Sequence, residues 1–250
     1  MAYDPIKLAE NVRRVVVKGD KRKYYRVSRP GRWYGGIATS DCCGCNLKCI
    51  FCWSNRPRDD PGNIGRFYSP EEIFENLIEC AKRNNYRRIR VSGNEPTLGG
   101  EHLLKLLELV EKTGYLFILE TNGTLINDRY AKALSRFKNL HVRVSLKGTN
   151  PEEFSLLTGA SRGAFELQLN ALRYLINYKV RCHPAVMLSF SKEESLLRLR
   201  EKLKRISPSL SENLEEEYVF LYPHVRERLR EAGVSPRIAY EPNRIPSRLV

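Results

Sequence analysis

Cys45-Asn46-Leu47-Lys48-Cys49-Ile50-Phe51-Cys52 sets three cysteines at a four-residue step and then a three-residue step. Three thiolates on one short loop can face a single inorganic cube. A four-iron cluster normally takes four cysteine ligands, so three on one loop leave one iron for a ligand from outside the protein. Zinc sites usually show two cysteine pairs well apart, or cysteine with histidine. Here Cys42, Cys43, Cys45, Cys49 and Cys52 crowd together, and Cys80 and Cys182 stand alone. A disulfide framework belongs to secreted chains, and the mixed, charged stretch from Met1 to Asp20 does not read as a signal peptide.

The C-x3-C-x2-C spacing, with Phe51 just before the third cysteine, resembles the radical S-adenosylmethionine (SAM) superfamily. The resemblance implies a [4Fe-4S] cluster on Cys45, Cys49 and Cys52, with the amino group and carboxylate of SAM on the open iron. It also implies an electron donor of the flavodoxin or ferredoxin type. One electron then cleaves a carbon–sulfur bond of SAM, and the 5′-deoxyadenosyl radical takes a hydrogen atom from substrate.

The chain has 250 residues with 42% hydrophobic content, enough for a sizeable core. No apolar run approaches the ~20 residues a membrane helix needs, so a soluble cytoplasmic protein without a membrane partner is expected. Lys and Arg number 43 against 29 Asp and Glu, a net charge of +14. One reading is a thermophile-like surface, favoured by one Gln and two Met in the whole chain. The other is a polyanionic partner, most simply RNA.

Residues 1–34 form a basic extension. Arg13 to Arg32 holds nine basic residues and one acid, Asp20, interleaved with aromatics. Arg22, Lys23, Tyr24, Tyr25, Arg26, Arg29, Arg32 and Trp33 are nucleic-acid candidates, since cations hold phosphates and rings stack bases. The alternative is a pair of edge strands, Val15–Val17 and Tyr24–Val27, guarded by charge.

From Gly35 the chain alternates strand and helix. Strands are expected at Gly35–Ser40, Arg87–Ser92, Tyr115–Glu120, His141–Leu146, Val180–Leu188 and Glu217–Leu221. Ser69-Pro70-Glu71-Glu72 opens a helix with a capping box, along which Cys80 reads as a small packed residue. Such alternation implies a parallel sheet. The fold class is α/β, a partial (β/α)6 TIM-type barrel over 35–224, and the resembled family shares it. Residues 225–250 are expected to be a short helix and an irregular tail without a second cluster.

In a parallel barrel the chemistry sits at the C-terminal strand ends. The resemblance assigns Phe51 to the SAM adenine. Ser92-Gly93-Asn94-Glu95-Pro96 resembles the family's Gly-Gly-Glu-Pro segment, which holds the SAM amine; Asn94 replaces the second Gly and tolerates unusual backbone angles. Glu120, Thr121 and Asn122 can hold ribose hydroxyls. Val144-Ser145-Leu146-Lys147, followed by Pro151-Glu152 and Leu157-Thr158-Gly159, resembles the glycyl-radical-enzyme activases. Lys147 then falls on the lysine that meets the SAM carboxylate, and Ser145 departs from the activases' Asp. Leu188 is a candidate apolar wall of the adenine pocket. His224 falls near a histidine that approaches SAM.

Two enzymatic readings follow. One is an RNA-modifying enzyme, for base modification or carbon methylation, the latter wanting a free cysteine for which Cys42 and Cys43 are the candidates. The other is an activase acting on a partner protein. A mere iron–sulfur or RNA-binding protein has no need of SAM-type residues at several strand tips.

Overall fold

The computed structural model describes residues 2–249. Helix α1 (Pro5–Val16) leads into a hairpin of β1 (Val17–Lys18) and β2 (Lys21–Gly31). Strand β3 (Ile37–Cys42) delivers the chain to the cysteine loop, followed by α2 (Asn55–Asp59) and β4 (Arg66–Tyr68). The chain then runs α3 (Pro70–Arg83), β5 (Arg88–Ser92), α4 (Gly100–Glu111), β6 (Leu116–Thr121), α5 (Asp128–Leu134) and β7 (Leu140–Leu146). It continues through α6 (Pro151–Thr158), α7 (Phe165–Asn177), β8 (Cys182–Met187), α8 (Glu193–Ile206), α9 (Pro208–Glu212) and β9 (Glu215–Glu217). β10 (Val219–Phe220), α10 (Pro223–Glu231) and β11 (Ala239–Tyr240) complete it.

Strands β3, β5, β6, β7, β8 and β9 lie side by side, all parallel, so the expected α/β partial barrel forms. Local sequence explains the helices. Ser69 and Glu72 close the capping box of α3, and Ile73, Leu77, Cys80 and Ala81 bury one face of that helix. Asn150 caps α6, and Gly159 ends it with φ 76°, a left-handed turn that glycine adopts without strain.

Three expectations change. The sixth strand is not Glu217–Leu221. Glu215–Glu217 pairs with β8, while Val219–Phe220 turns away to pair with β11. The irregular tail thus contributes a short strand. Residues 17–31 are also built into the sheet. β2 runs antiparallel to β3 and also pairs with β1 and β4, so Tyr24 has a partner strand on each side, β3 and β4, while from Arg26 onward β2 pairs with β3 alone.

The parallel strands have two unlike faces. Ile89, Val91, Phe117, Leu119, Val142, Val144 and Val186 pack into the core. The alternate positions carry polar groups bonded strand to strand. Arg90 Nε donates to Thr39 Oγ1 at 2.9 Å, and Arg90 Nη1 to Glu120 Oε1 at 2.5 Å. Arg143 donates to Glu215 and Glu217, 2.7 Å to each. Arg143 is 8% exposed and Arg90 6%, so this ionic layer is the barrel's interior.

Candidate active site

A cavity of about 490 Å³ opens at the C-terminal strand ends. Cys45, Cys49, Cys52, Phe51, Gly93, Asn94, Glu95, Glu120, Thr121, Asn122, Ser145, Lys147 and His224 all line it. Of the expected cofactor-binding residues, Pro96 and Leu188 are not among its walls. Pro96 starts a buried turn. Leu188 is 7% exposed in the main core, and Met187 takes the place expected of it on the cavity wall, because successive strand residues face opposite ways.

Burial pushes the Cys49 thiol up to about 11 and raises Cys45 above the ordinary range. Leu47 N–H and Asn122 Nδ2 point at Cys45 Sγ from 3.4 and 3.7 Å, donors that suit a thiolate. No group of His, Cys, Asp or Glu among the described residues converges on a single metal ion. A cubane does not ask for that, since each thiolate takes its own iron. The donor set fits a four-iron cluster. Cys42 and Cys43 are fully buried and line no part of the cavity. Cys43 Sγ instead donates to Ile64 O at 3.3 Å.

Gly93 has φ 93°, and a Cβ there would stand 2.9 Å from Asp41 Cβ, so glycine is required. Asn94 is not in a positive-φ conformation, so backbone tolerance does not explain it. Its Nδ2 donates to Ser54 O at 3.0 Å and Gly93 O at 3.1 Å, while its buried Oδ1 has no partner. An orphaned acceptor on the cavity wall suits the cationic amine of SAM.

Glu95 is 1% exposed and already committed. Oε1 accepts from Thr97 N, Thr97 Oγ1 and Thr121 Oγ1 at 3.0, 2.6 and 2.7 Å, and Oε2 from Asn122 N at 2.8 Å. Asn122 Nδ2 donates to Asn46 Oδ1 at 2.9 Å, and its Oδ1 accepts from Thr124. These residues brace the cysteine loop against the ends of β5 and β6. Thr121 and Asn122, expected to hold ribose hydroxyls, line the cavity and also provide this bracing. Glu120 is committed as well, to Arg90, Tyr34 Oη and Ser92 Oγ. Its burial disfavours the charge, but Arg90 and Arg143 outweigh that and hold its carboxyl at about 2.

Lys147 Nζ donates to Ser145 Oγ and stands 3.9 Å from Glu217 Oε2. Ser145 Oγ donates to Glu217 Oε2 at 2.6 Å. Phe51 meets Phe190 with ring centres 6.0 Å apart. His224 stacks on Tyr222 and donates from Nε2 to Trp53 O at 3.0 Å.

The basic extension divides. Arg22, Lys23 and Tyr24 are buried, at 1%, 7% and 2% exposure, and are corrected as nucleic-acid candidates. Arg22 donates to the carbonyls of Val16, Cys43 and Glu95, Lys23 Nζ to Pro61 O, and Tyr24 Oη meets His102 Nε2. Tyr25 Oη bonds Ser54 Oγ at 2.7 Å. Arg26 and Arg29 share Asp41, at 2.9 and 2.6 Å, and reach the cavity mouth with Trp33. Arg26 stacks on Tyr25 and Trp53 at 5.1 and 5.5 Å, and Arg32 on Trp33 at 5.3 Å. Arg90, Arg143, Glu215, Glu217, Tyr34 and Trp53 are cavity residues that the motif reading missed. Polar residues at every second place in His141-Val142-Arg143-Val144-Ser145-Leu146-Lys147 were the signal.

The sequence model of the Radical SAM superfamily matches residues 40–203. This chain belongs to the radical SAM superfamily. The family's [4Fe-4S] cluster and SAM are therefore its cofactors. A cysteine-type anaerobic sulfatase-maturating enzyme of Clostridium perfringens is 35% identical over 118 residues, 44% of this chain and 31% of that one. A probable GTP 3′,8-cyclase of Methanosarcina acetivorans is 33% identical over 151 residues, 59% and 43%. A putative glycyl-radical enzyme activating enzyme of Methanocaldococcus jannaschii is 26% identical over 136 residues, 54% and 48%. The chain spans about a third to a half of the length of these curated relatives. A solved structure, native anSMEcpe with bound AdoMet and Cp18Cys peptide, superposes with a TM-score of 0.51 at 25% identity, over 71% of this chain and 48% of that one. No helix among the described residues is long and apolar enough to cross a membrane.

Proposed function

We propose that this radical SAM enzyme modifies a macromolecule, RNA first, taking a hydrogen atom from a nucleotide presented at the cavity mouth. One observation carries the reading. Arg26, Trp33 and Trp53 line the cavity, with Arg26 laid over Tyr25 and Trp53, and Arg32 laid over Trp33 beside it. Such pairs offer flat faces to bases and charge to phosphates. Two arginines on the single carboxylate of Asp41 leave one positive charge over at the mouth.

Bound together, the cluster and SAM supply a 5′-deoxyadenosyl radical once a flavodoxin- or ferredoxin-type donor gives one electron. Cys45, Cys49 and Cys52 would hold the cluster. Asn94 Oδ1 would accept from the SAM amine, Lys147 would meet its carboxylate, and Phe51 with Met187 would wall the adenine. The ionic floor of Arg90, Glu120, Arg143, Glu215 and Glu217 favours a polar reacting unit. Base modification is preferred to carbon methylation, because Cys42 and Cys43 are buried away from the cavity.

A protein substrate is the second reading. The strand-end sequence from Ser145 to Gly159 and the sulfatase-maturating relative support it.

Comparative mass spectrometry of tRNA and rRNA, from strains with and without the protein, tests the proposal. A modified nucleoside missing from the deletion strain is expected. Identical nucleoside profiles, with RNA binding that does not weaken as salt rises, would remove the RNA reading.

A further inference from the structure

Two arginines reach the cysteine loop from different helices. Arg58, on α2, donates from Nη1 to Cys49 O at 2.6 Å. Arg228, on α10, donates from Nη2 to Cys52 O. The two guanidiniums thus hold the carbonyls of the second and third cysteines. α10 is seated for this by Val225 and Leu229, which pack with Leu157, Met187 and Val219, against Ile50 and Phe51 of the cysteine loop. His224 and Arg228, one helical turn apart, hold consecutive carbonyls, Trp53 and Cys52.

The two charges differ in what answers them. Asp59 takes Arg58 in a fork, with 2.7 Å to Nε and 2.7 Å to Nη2. Arg228 forms no ion pair among the described residues. Its Nε donates to His224 O at 3.2 Å, and its Nη1 is buried without a partner. Arg228 is half-buried, and a guanidinium drawn partly out of water without a carboxylate is costly to keep. Its position next to the cysteine backbone suggests what offsets that cost.

We propose that Arg228 is a positioning residue for the cluster: it fixes the loop at Cys52 and supplies an unanswered positive charge that makes the cluster easier to reduce. One-electron reduction makes the cluster one unit more negative, and a nearby cation in a water-poor site favours that state. Net charge and hydrogen bonding around the sulfurs set the potentials of such clusters. Arg228 lies beyond residues 40–203, so the role falls to a part of the chain outside the family match.

The inference rests on cluster binding by Cys45, Cys49 and Cys52, which iron content and SAM cleavage check separately. Its own test is a redox titration of the anaerobically reconstituted full chain, followed by electron paramagnetic resonance. Arg228→Gln keeps an N–H donor for Cys52 O without the charge, and Arg228→Lys keeps the charge. At the wild-type midpoint, R228Q is expected to show a reduced-to-oxidised ratio about tenfold lower, a shift of ~59 mV for one electron. R228K is expected to stay within about twofold of wild type. Asp59→Asn, at an exposed position that leaves Arg58 unneutralised, is expected to move the ratio the other way. An iron-loaded R228Q with the wild-type ratio, or R228Q and R228K shifted alike, overturns the proposal. If R228Q does not load iron, D59N decides, and an unchanged ratio there overturns it.

Discussion

Arg143 and Glu215 meet through two parallel hydrogen bonds, Nε to Oε2 at 2.9 Å and Nη2 to Oε1 at 2.7 Å. The same guanidinium reaches Glu217 Oε1 at 2.7 Å, so one buried cation ties β7 to β9. These strands are not adjacent; β8 lies between them. Breaking a buried pair by removing one partner costs about 3–5 kcal/mol, because the other charge is left behind. Arg143→Met is expected to lose about that much in urea denaturation. Adding Glu215→Gln and Glu217→Gln to it is expected to recover part of the loss.

Acid is expected to destabilise this protein in two windows. His102 donates from Nδ1 to Asp20 O at 2.8 Å, which leaves Nε2 to accept from Tyr24 Oη at 2.9 Å. Burial holds this ring at about 4. An unfolded histidine titrates near ~6.5, so the unfolded chain takes the proton first. The contribution is whole above pH ~6.5 and is lost as pH falls toward 4, by about 3 kcal/mol. His102→Gln is expected to reduce the slope of a stability-versus-pH curve in that window, with the remainder coming from His141, which burial and His183 also hold at about 4.

Glu120 acts lower. Its folded value of about 2 lies below the unfolded ~4.3. Stability from its pairing with Arg90 is whole above pH ~4.3 and lost as pH falls toward 2. In Glu120→Gln the curve is expected to lose part of its slope over that range while keeping the one above it. The rest comes from Glu215, where burial disfavours the charge but Arg143 and His183 outweigh that and hold the carboxyl low.

Asn94 is expected to discriminate between two substitutions. Asn94→Asp keeps an acceptor facing the SAM amine, and Asn94→Leu removes it. A hydrogen bond to a charged group contributes about 1.5–3 kcal/mol. N94L is therefore expected to bind SAM roughly 10–100-fold more weakly than wild type by equilibrium dialysis, with N94D much closer.

Gly93→Ala forces a side chain onto Asp41 at a backbone angle that alanine resists. Such strain costs about 1–3 kcal/mol, which lowers Tm by roughly 2–12 °C in a chain of this size. Calorimetry of the variant checks this.

The parts legible in the sequence share one property: their signals are local. The Cys45–Cys52 spacing, the Ser69–Glu72 capping box and the Asn150 cap each lie within a few residues. The parts that were not legible depend on distant partners. Arg22 reads as a surface cation until Val16, Cys43 and Glu95 are seen to surround its guanidinium. Glu215-Glu216-Glu217 carries no apolar pattern, because β9 is placed by Arg143 rather than by hydrophobic burial. Arg143 and Ser145 alternate with valines in a way that announces a polar barrel interior. A parallel strand is ordinarily a continuous apolar run, and that habit hides the alternation. Arg228 lies on an unremarkable basic helix, and only tertiary packing brings it to Cys52.

We propose that the Cys45–Cys52 loop carries the cluster that cleaves SAM. Anaerobically reconstituted protein, given dithionite and SAM, should release 5′-deoxyadenosine and methionine, and Cys45→Ala, Cys49→Ala and Cys52→Ala should each abolish both the cluster and the products. Iron-loaded wild-type protein that releases neither product, or a C49A variant that keeps its cluster and its activity, would contradict the account.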